Sequence, residues 1–257
     1  MCFDHDSRPP IMAIAGGSLD SGELTLTPDD GNRFTAFQAR AAEPTGAGVV
    51  ILPDVRGLHA YYEDLALRFA EHGIDAIAID YFGRTAGLGR RETGFDYVPH
   101  VAATHWAGLT ADIRAAVDWI RAEDGAAVTT LFTVGFCFGG RVAFDTAALP
   151  LDLAGVVGFY GNPVGERADI PAPADIADRM TAPVLGIFGG ADPGIPASAI
   201  ETFEAALVSA ALEHELVVYP DAPHSFFDRK ADEYARTSAE AWEAVLGFVR
   251  RRTPSPA

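Results

Sequence analysis

The sequence predicts a doubly wound α/β fold in which helices flank a mostly parallel sheet of about eight strands. Short apolar runs rich in β-branched residues recur along the chain, and from Val49 onward they alternate with amphipathic stretches of helical length. This alternation favours parallel pairing, because parallel strands need crossover connections and helices supply them. With 257 residues, 49% of them hydrophobic, the chain can bury a core large enough for one such domain.

Each strand is predicted from a short run of apolar and β-branched residues. In chain order the runs cover residues 23–27, 34–40, 49–52, 76–79, 128–134, 155–159, 184–188 and 215–219. The first two runs flank Pro28-Asp29-Asp30-Gly31-Asn32, whose turn-forming residues predict an antiparallel hairpin at the sheet edge.

The helices are predicted where apolar residues recur with helical spacing, over residues 61–71, 106–121, 141–148, 196–210 and 232–251. The longest connection is the loop 161–178, which is either the border of a pocket or a plain surface connection. We assign residues 1–20 to an N-terminal extension, residues 21–252 to a single domain and residues 253–257 to a flexible tail.

The chain carries a large negative charge, since 19 Lys and Arg against 36 Asp and Glu give a formal net charge of −17. A field of this sign repels phosphate backbones and anionic membrane surfaces, so we expect neither nucleic acid nor a membrane as a partner. An anionic substrate would need local arginine to overcome the repulsion.

The two cysteines, Cys2 and Cys137, are too few for a disulfide framework. Residues 1–10 are polar rather than basic and then apolar, and no apolar run approaches the roughly 20 residues of a membrane span. We therefore expect a cytoplasmic protein with a small-molecule substrate. No segment marks an interface, so a homodimer stays open.

A catalytic site is predicted from the segment Gly135-Phe136-Cys137-Phe138-Gly139-Gly140. It follows an apolar strand and leads into a helix, so it is a sharp turn with a thiol at its apex. Glycines are required there because strained backbone angles and close chain approach exclude larger side chains. Such a turn is a nucleophile elbow, with Cys137 in place of serine, and the positive end of the following helix favours a thiolate.

Polar residues at the carboxyl ends of the other strands complete the candidate site, because ligands bind at that edge of an open α/β sheet. These residues are Asp54, Arg84, Asp192 and His224. The chain order of nucleophile, acid and histidine is typical of α/β-hydrolases.

Each residue has a defined task in such a site. His224 would take the thiol proton and return it to the leaving group, and Asp192 would orient the imidazole. The backbone N–H groups of Val55 and Phe138 would form the oxyanion hole. Considered one at a time, Asp192 is also explained as a turn residue and His224 as a loop histidine, without a catalytic role.

These residues lie in segments that together resemble the dienelactone hydrolase family. The segments are Leu52-Pro53-Asp54-Val55-Arg56-Gly57, Tyr81-Phe82-Gly83-Arg84, Gly135-Phe136-Cys137-Phe138-Gly139-Gly140, Phe188-Gly189-Gly190-Ala191-Asp192 and Pro223-His224-Ser225-Phe226. The resemblance implies an α/β-hydrolase fold with Cys137, Asp192 and His224 as the triad. It also implies hydrolysis of an enol-lactone through an acyl-thioester, without a metal or organic cofactor.

The resemblance further implies a carboxylate at Asp54, where the family has a glutamate that pairs with the thiol; whether the shorter side chain reaches Cys137 stays open. It implies two arginines that hold a substrate carboxylate, of which Arg84 matches the first. The second position is Asp228, followed by Arg229 and Lys230. A carboxylate at that position would repel an anionic substrate, so a related small ester, lactone or thioester is an equal expectation.

Aromatic residues near the strand ends can enclose an unsaturated acyl group, although core packing explains them equally well. Phe82, Tyr160 and Phe226 are the candidates for such substrate contacts. No four-ligand metal pattern is present, because the pairs Cys2 with His5 and His100 with His105 do not extend to one. A general esterase, a thiol-redox protein and a non-catalytic binding protein on the same fold are the alternative functions.

Overall fold

The centre of the computed structural model is an eight-stranded sheet with the strand order β1-β2-β4-β3-β5-β6-β7-β8. The structure describes residues 7–122, 126, 128–228 and 230–254. The strands are β1 (Ser18–Leu26), β2 (Phe34–Ala41), β3 (Ala47–Leu52), β4 (Asp75–Ile79), β5 (Thr130–Phe136), β6 (Gly155–Phe159), β7 (Val184–Gly189) and β8 (His214–Tyr219).

The β1–β2 and β2–β4 pairs are antiparallel, and every other pair is parallel. The predicted fold class and the edge hairpin are therefore confirmed. β1 begins at Ser18, inside the stretch assigned to the N-terminal extension, and only residues 253 and 254 of the predicted tail are described.

Helices cover both faces of this sheet. They are α1 (Ala60–Glu71), α2 (Gly83–Ala86), α3 (Val98–Ala102), α4 (Trp106–Arg121), α5 (Phe138–Thr146), α6 (Ala197–Ser209) and α7 (Ala235–Arg252), with a 3₁₀ helix over Pro173–Arg179. The short helices α2 and α3 and the 3₁₀ helix were not predicted, because one turn or two give no measurable periodicity. No helix within the described ranges is long and apolar enough to cross a membrane.

Alternate residues of the central strand β3 point into two separate apolar clusters, as the two-residue period of a strand requires. Val49 and Ile51 belong to the cluster that contains residues of α1 and α7, whereas Val50 and Leu52 belong to the cluster that contains residues of α4. Both faces of the sheet are thus buried, which explains why the central strands are continuous apolar runs rather than alternating ones.

The chain leaves the middle of the sheet in two directions, since β4 lies on one side of β3 and β5 lies on the other. Such a switch point opens a crevice at the carboxyl ends of the two strands, where ligands bind. In the β3–β5 register Leu52 lies opposite Gly135. The turn that follows β3 and the turn that follows β5 therefore meet at this crevice.

Candidate active site

Cys137 occupies the apex of the turn between β5 and α5. Its φ of 55° and ψ of −111° are strained for a residue with a side chain. The turn is held by the Cys137 N–H, which donates to the Phe159 carbonyl at 3.0 Å, and by the Cys137 carbonyl, which accepts from Arg141 N–H at 3.1 Å. The predicted strand, tight turn and helix are confirmed, and the thiol is partly exposed.

The glycines around Cys137 are required by close backbone approach. A Cβ at Gly135 would lie 1.9 Å from the Gly139 carbonyl oxygen, and a Cβ at Gly139 would lie 2.1 Å from the Leu52 carbonyl oxygen. The amino end of α5 is thus pressed against the ends of β3 and β5. This packing fixes the direction in which the thiol points.

His224 and Asp192 form a hydrogen-bonded pair in which only the carboxylate is buried. His224 Nδ1 lies 2.6 Å from Asp192 Oδ2, and the other carboxylate oxygen accepts from Gly194 N–H at 2.8 Å. The Asp192 side chain is 2% exposed, whereas that of His224 is 31% exposed. A carboxylate fixed on both oxygens holds the imidazole in one orientation.

Cys137 and His224 line the same cavity, which has a volume of about 300 Å³. Tyr160 also lines it, and its ring centroid lies 4.8 Å from that of His224. The loop that follows β6 forms a further wall through residues 162 and 164–167. Of the two interpretations of the loop 161–178, the pocket border is therefore the correct one.

The backbone N–H groups of Val55 and Phe138 follow the carboxyl ends of the neighbouring strands β3 and β5. Leu52 and Gly135 lie opposite each other in the β3–β5 register, and Val55 and Phe138 each follow three residues later. Phe138 is also the first residue of α5, where N–H groups have no acceptor within the helix. Within the described residues the Val55 N–H donates no hydrogen bond. The oxyanion hole at these two N–H groups stays a prediction.

Arg141 holds the cavity loop in place. Its buried guanidinium donates to the carbonyls of Val164, Gly165 and Pro171 at 2.7 to 3.2 Å. Burial lowers the pKa of Arg141, and the carbonyl oxygens compensate by solvating the charge. Sequence reasoning missed this residue, although it follows Cys137 by one helical turn.

Replacement of Arg141 by methionine is expected to loosen the loop, because it leaves three partly buried loop carbonyl groups without their donor. The free energy of unfolding should fall by about 2 to 3 kcal/mol, and limited proteolysis should cut within residues 161–178. Arg236→Met is the matched control, since the Arg236 side chain is 92% exposed. Equal proteolysis of the two variants would contradict the assignment.

The sequence model of the dienelactone hydrolase family matches residues 34–253. The chain belongs to this family. A protein of Salmonella typhimurium named "Putative carboxymethylenebutenolidase" is 32% identical over 248 residues, which are 93% of this chain and 90% of that protein. Dienelactone hydrolases hydrolyse carboxylic esters, and this protein is a hydrolase of that type.

Solved structures agree with the assignment. A crystal structure of a "Putative Dienelactone Hydrolase" from Klebsiella pneumoniae has a TM-score of 0.77 and 31% identity, and the match covers 90% of this chain and 98% of that chain. A dienelactone hydrolase-like promiscuous phosphotriesterase from metagenomic libraries has a TM-score of 0.78 at 22% identity, covering 93% and 100% of the two chains. The second likeness concerns the fold alone.

Asp54, at the position of the dienelactone hydrolase glutamate, bonds to its own turn. Its carboxylate is fully buried, accepts from Arg56 N–H at 2.7 Å and lies 3.4 Å from the Arg56 guanidinium. Burial raises the pKa of Asp54, and Arg56 opposes that shift. In the described residues no hydrogen bond joins Asp54 to Cys137. The shorter side chain is held within the turn after β3.

Arg84, which the family resemblance assigned to substrate binding, lies in a second cavity of about 300 Å³ and not among the residues that line the Cys137 cavity. Its guanidinium donates to Asp30 at 2.5 Å and to Asp112 at 2.7 Å. Asp112 is buried, and burial raises its pKa to about 6 against the opposing effect of Arg84. Two carboxylates therefore already neutralise the positive charge of Arg84.

The aromatic candidates separate into one that reaches the cavity and two that do not. Tyr160 lines it, whereas Phe82 and Phe226 are fully buried. Phe82 contacts Phe95 and other rings beside α2, and Phe226 packs against Tyr160 from behind. The proposed substrate contacts of Phe82 and Phe226 are corrected, because both side chains belong to the core.

Asp228, at the position of the second family arginine, is 3% exposed and accepts a hydrogen bond from the Tyr160 hydroxyl at 2.8 Å. It anchors the tyrosine that contacts His224, and it does not line the Cys137 cavity. The expected repulsion of an anionic substrate is therefore not supported. Arg229 lies outside the described residues, and Lys230 is partly buried.

Proposed function

We propose that the protein cleaves a small lactone or ester through an acyl-thioester on Cys137. The proposal is carried by one observation, the partly exposed thiol on a strained turn in the same cavity as His224, whose imidazole is hydrogen-bonded to the buried Asp192. A thiol, an imidazole and a carboxylate in this chain order are the elements of nucleophilic acyl transfer. A cavity of about 300 Å³ is at the lower end of the range for ligand sites, which favours a small substrate.

In the first half of the reaction the Cys137 thiol gives its proton to His224, and the sulfur attacks the carbonyl carbon. The C–S bond forms as the carbonyl oxygen becomes an oxyanion, which accepts hydrogen bonds from the N–H groups of Val55 and Phe138. Collapse of this intermediate breaks the C–O bond, and His224 returns the proton to the leaving oxygen. In a lactone the leaving oxygen stays attached to the acyl group.

In the second half a water molecule gives a proton to His224 and attacks the thioester carbonyl. The C–S bond breaks, the sulfur regains its proton from His224 and a carboxylic acid is released. Among the described residues the Cys137 sulfur makes no hydrogen bond. Substrate-free hydrolases often have such loose geometry, which tightens when substrate is bound.

A screen of neutral p-nitrophenyl esters, simple lactones and carboxylate-bearing lactones tests this proposal. We expect turnover of at least one class, and a short quench should give a mass increase equal to the acyl group on the peptide that contains Cys137. Preference for lactones would identify a lactone hydrolase, and equal rates would identify a general small-ester hydrolase. Turnover without any adduct on Cys137, even with a slowly deacylating ester, would contradict the thioester route.

A further inference from the structure

Arg167 presents a guanidinium to the Cys137 cavity, and no carboxylate of the described residues pairs with it. It lies on the cavity loop, lines the cavity with Cys137 and His224, and holds its Cζ atom 4.5 Å from the centroid of the Phe138 ring. Within the described residues its side chain makes no ion pair and no hydrogen bond. Arg84 differs in this respect, because it already binds two carboxylates.

The partial burial of the Arg167 guanidinium is electrostatically unfavourable unless an anion binds beside it. Its side chain is partly buried, so desolvation lowers the pKa of Arg167, and the nearby Cys137 sulfur acts in the opposite direction when it is a thiolate. A charge that is removed from water without a counterion is unfavourable. Stacking of a cation on an aromatic ring, as Arg167 stacks on Phe138, stabilises the charge by only about 0.5 to 2 kcal/mol.

The loop holds Arg167 in a defined place. Arg141 binds the carbonyls of Val164 and Gly165 before it and the carbonyl of Pro171 after it. The Arg167 carbonyl also accepts from Ile170 N–H at 3.0 Å. Its backbone is therefore fixed on both sides, and the guanidinium is preorganised for a ligand rather than free in solution.

We infer that Arg167 binds an anionic group of the substrate and so selects acyl compounds with a carboxylate near the scissile carbonyl. This inference rests on the proposed hydrolytic function and names the residue that sets its specificity. It replaces Arg84, the residue that the family resemblance indicated. A guanidinium suits a carboxylate because two parallel N–H donors match its two oxygens. A local cation is also needed here, since the net charge of −17 repels anions.

The first test compares p-nitrophenyl hemisuccinate with p-nitrophenyl butyrate, which differ in one carboxylate. For Arg167→Gln we expect kcat/KM for the anionic ester to fall on the order of tenfold to a hundredfold, the scale of a charge-assisted hydrogen bond, mainly through KM. The neutral ester should change less than about threefold, because it makes no ion pair with Arg167. Arg167→Lys should retain part of the preference, and the exposed Arg236→Gln should retain all of it. Equal losses on both esters, or loss of the preference in Arg84→Gln instead, would overturn the inference.

The second test needs no hydrolysis. In a Cys2→Ser background Cys137 is the only thiol, and its alkylation rates with iodoacetate and iodoacetamide report the local preference for an anion. We expect the iodoacetate to iodoacetamide ratio to exceed that of 2-mercaptoethanol about tenfold, to fall in Arg167→Gln and to decline with added salt. A ratio unaffected by Arg167→Gln would exclude an anion site, whereas a raised, Arg167-dependent ratio without turnover of any ester would count against the hydrolytic proposal alone.

Discussion

Replacement of Cys137 by alanine is expected to lower the hydrolysis of p-nitrophenyl esters by about four to six orders of magnitude. The reason is that the substitution removes the sulfur on which the proposed acyl-thioester forms. The oxyanion hole and substrate binding would remain and would give a small residual rate above that of water. The measurement is kcat/KM under conditions in which the spontaneous hydrolysis of the ester is subtracted.

The fold should survive this change, because the Cys137 sulfur makes no hydrogen bond within the described residues. Circular dichroism and the thermal midpoint of Cys137→Ala should match those of the unmodified protein. Cys2→Ser is the matched control for loss of a thiol and should keep full activity. Residual activity above about 1% in Cys137→Ala would show that another group is the nucleophile.

His224→Ala should lose a similar amount, and the double variant should lose little more than either single one. The sulfur and the imidazole act in one proton-transfer step, so their contributions are not additive. Additive losses would mean that His224 acts independently of the thiol.

The fold and the elbow could be predicted because their signals are local. The eight apolar runs each became a strand, and the glycines around Cys137 are forced by contacts at 1.9 and 2.1 Å. The chain order of Asp192 and His224 placed them at adjacent strand ends, since β7 and β8 are neighbours in the sheet. In each case a few consecutive residues give the signal, although the contacts that require them, such as that between Gly139 and Leu52, join distant parts of the chain.

Arg84 and Arg167 show why the arginines could not be predicted. The partners of Arg84 are Asp30 and Asp112, which lie 54 residues before it and 28 residues after it, so no local pattern reveals that its charge is neutralised. Arg167 lies in a loop without hydrophobic periodicity. Its orientation depends on the bonds that Arg141 makes to the loop carbonyls, and these bonds exist only after α5 has packed.

Asp54 shows a third reason why part of the site could not be predicted: the partner of a carboxylate depends on the length of its side chain. Its position after β3 was predicted, and the family resemblance implied a bond to the thiol. The structure instead has both carboxylate oxygens on Arg56, two residues along the chain. A short carboxylate two residues before a backbone N–H commonly bonds within its own turn. In this chain the shorter carboxylate therefore bonds within its own turn and not to the thiol.

Replacement of Gly135 by alanine is expected to be among the most destabilising substitutions in the chain. The added Cβ would lie 1.9 Å from the Gly139 carbonyl oxygen and 2.4 Å from its carbon, and both atoms are backbone. No side-chain rotation can relieve this overlap, so α5 must move away from β5. We expect a loss of more than about 3 kcal/mol in the free energy of unfolding, measured by urea titration. Activity should fall as well, because the shift displaces Cys137 and the Phe138 N–H together.

Gly22→Ala is the matched control, because Gly22 also lies in a strand but a Cβ there meets nothing within 4 Å. Alanine restricts the unfolded chain more than glycine does, so this variant should be unchanged or more stable by about 0.4 to 1 kcal/mol. Comparable stability of the two variants would mean that the β5–α5 contact can relax. In that event the close packing of the elbow would not be what directs the Cys137 thiol into its cavity.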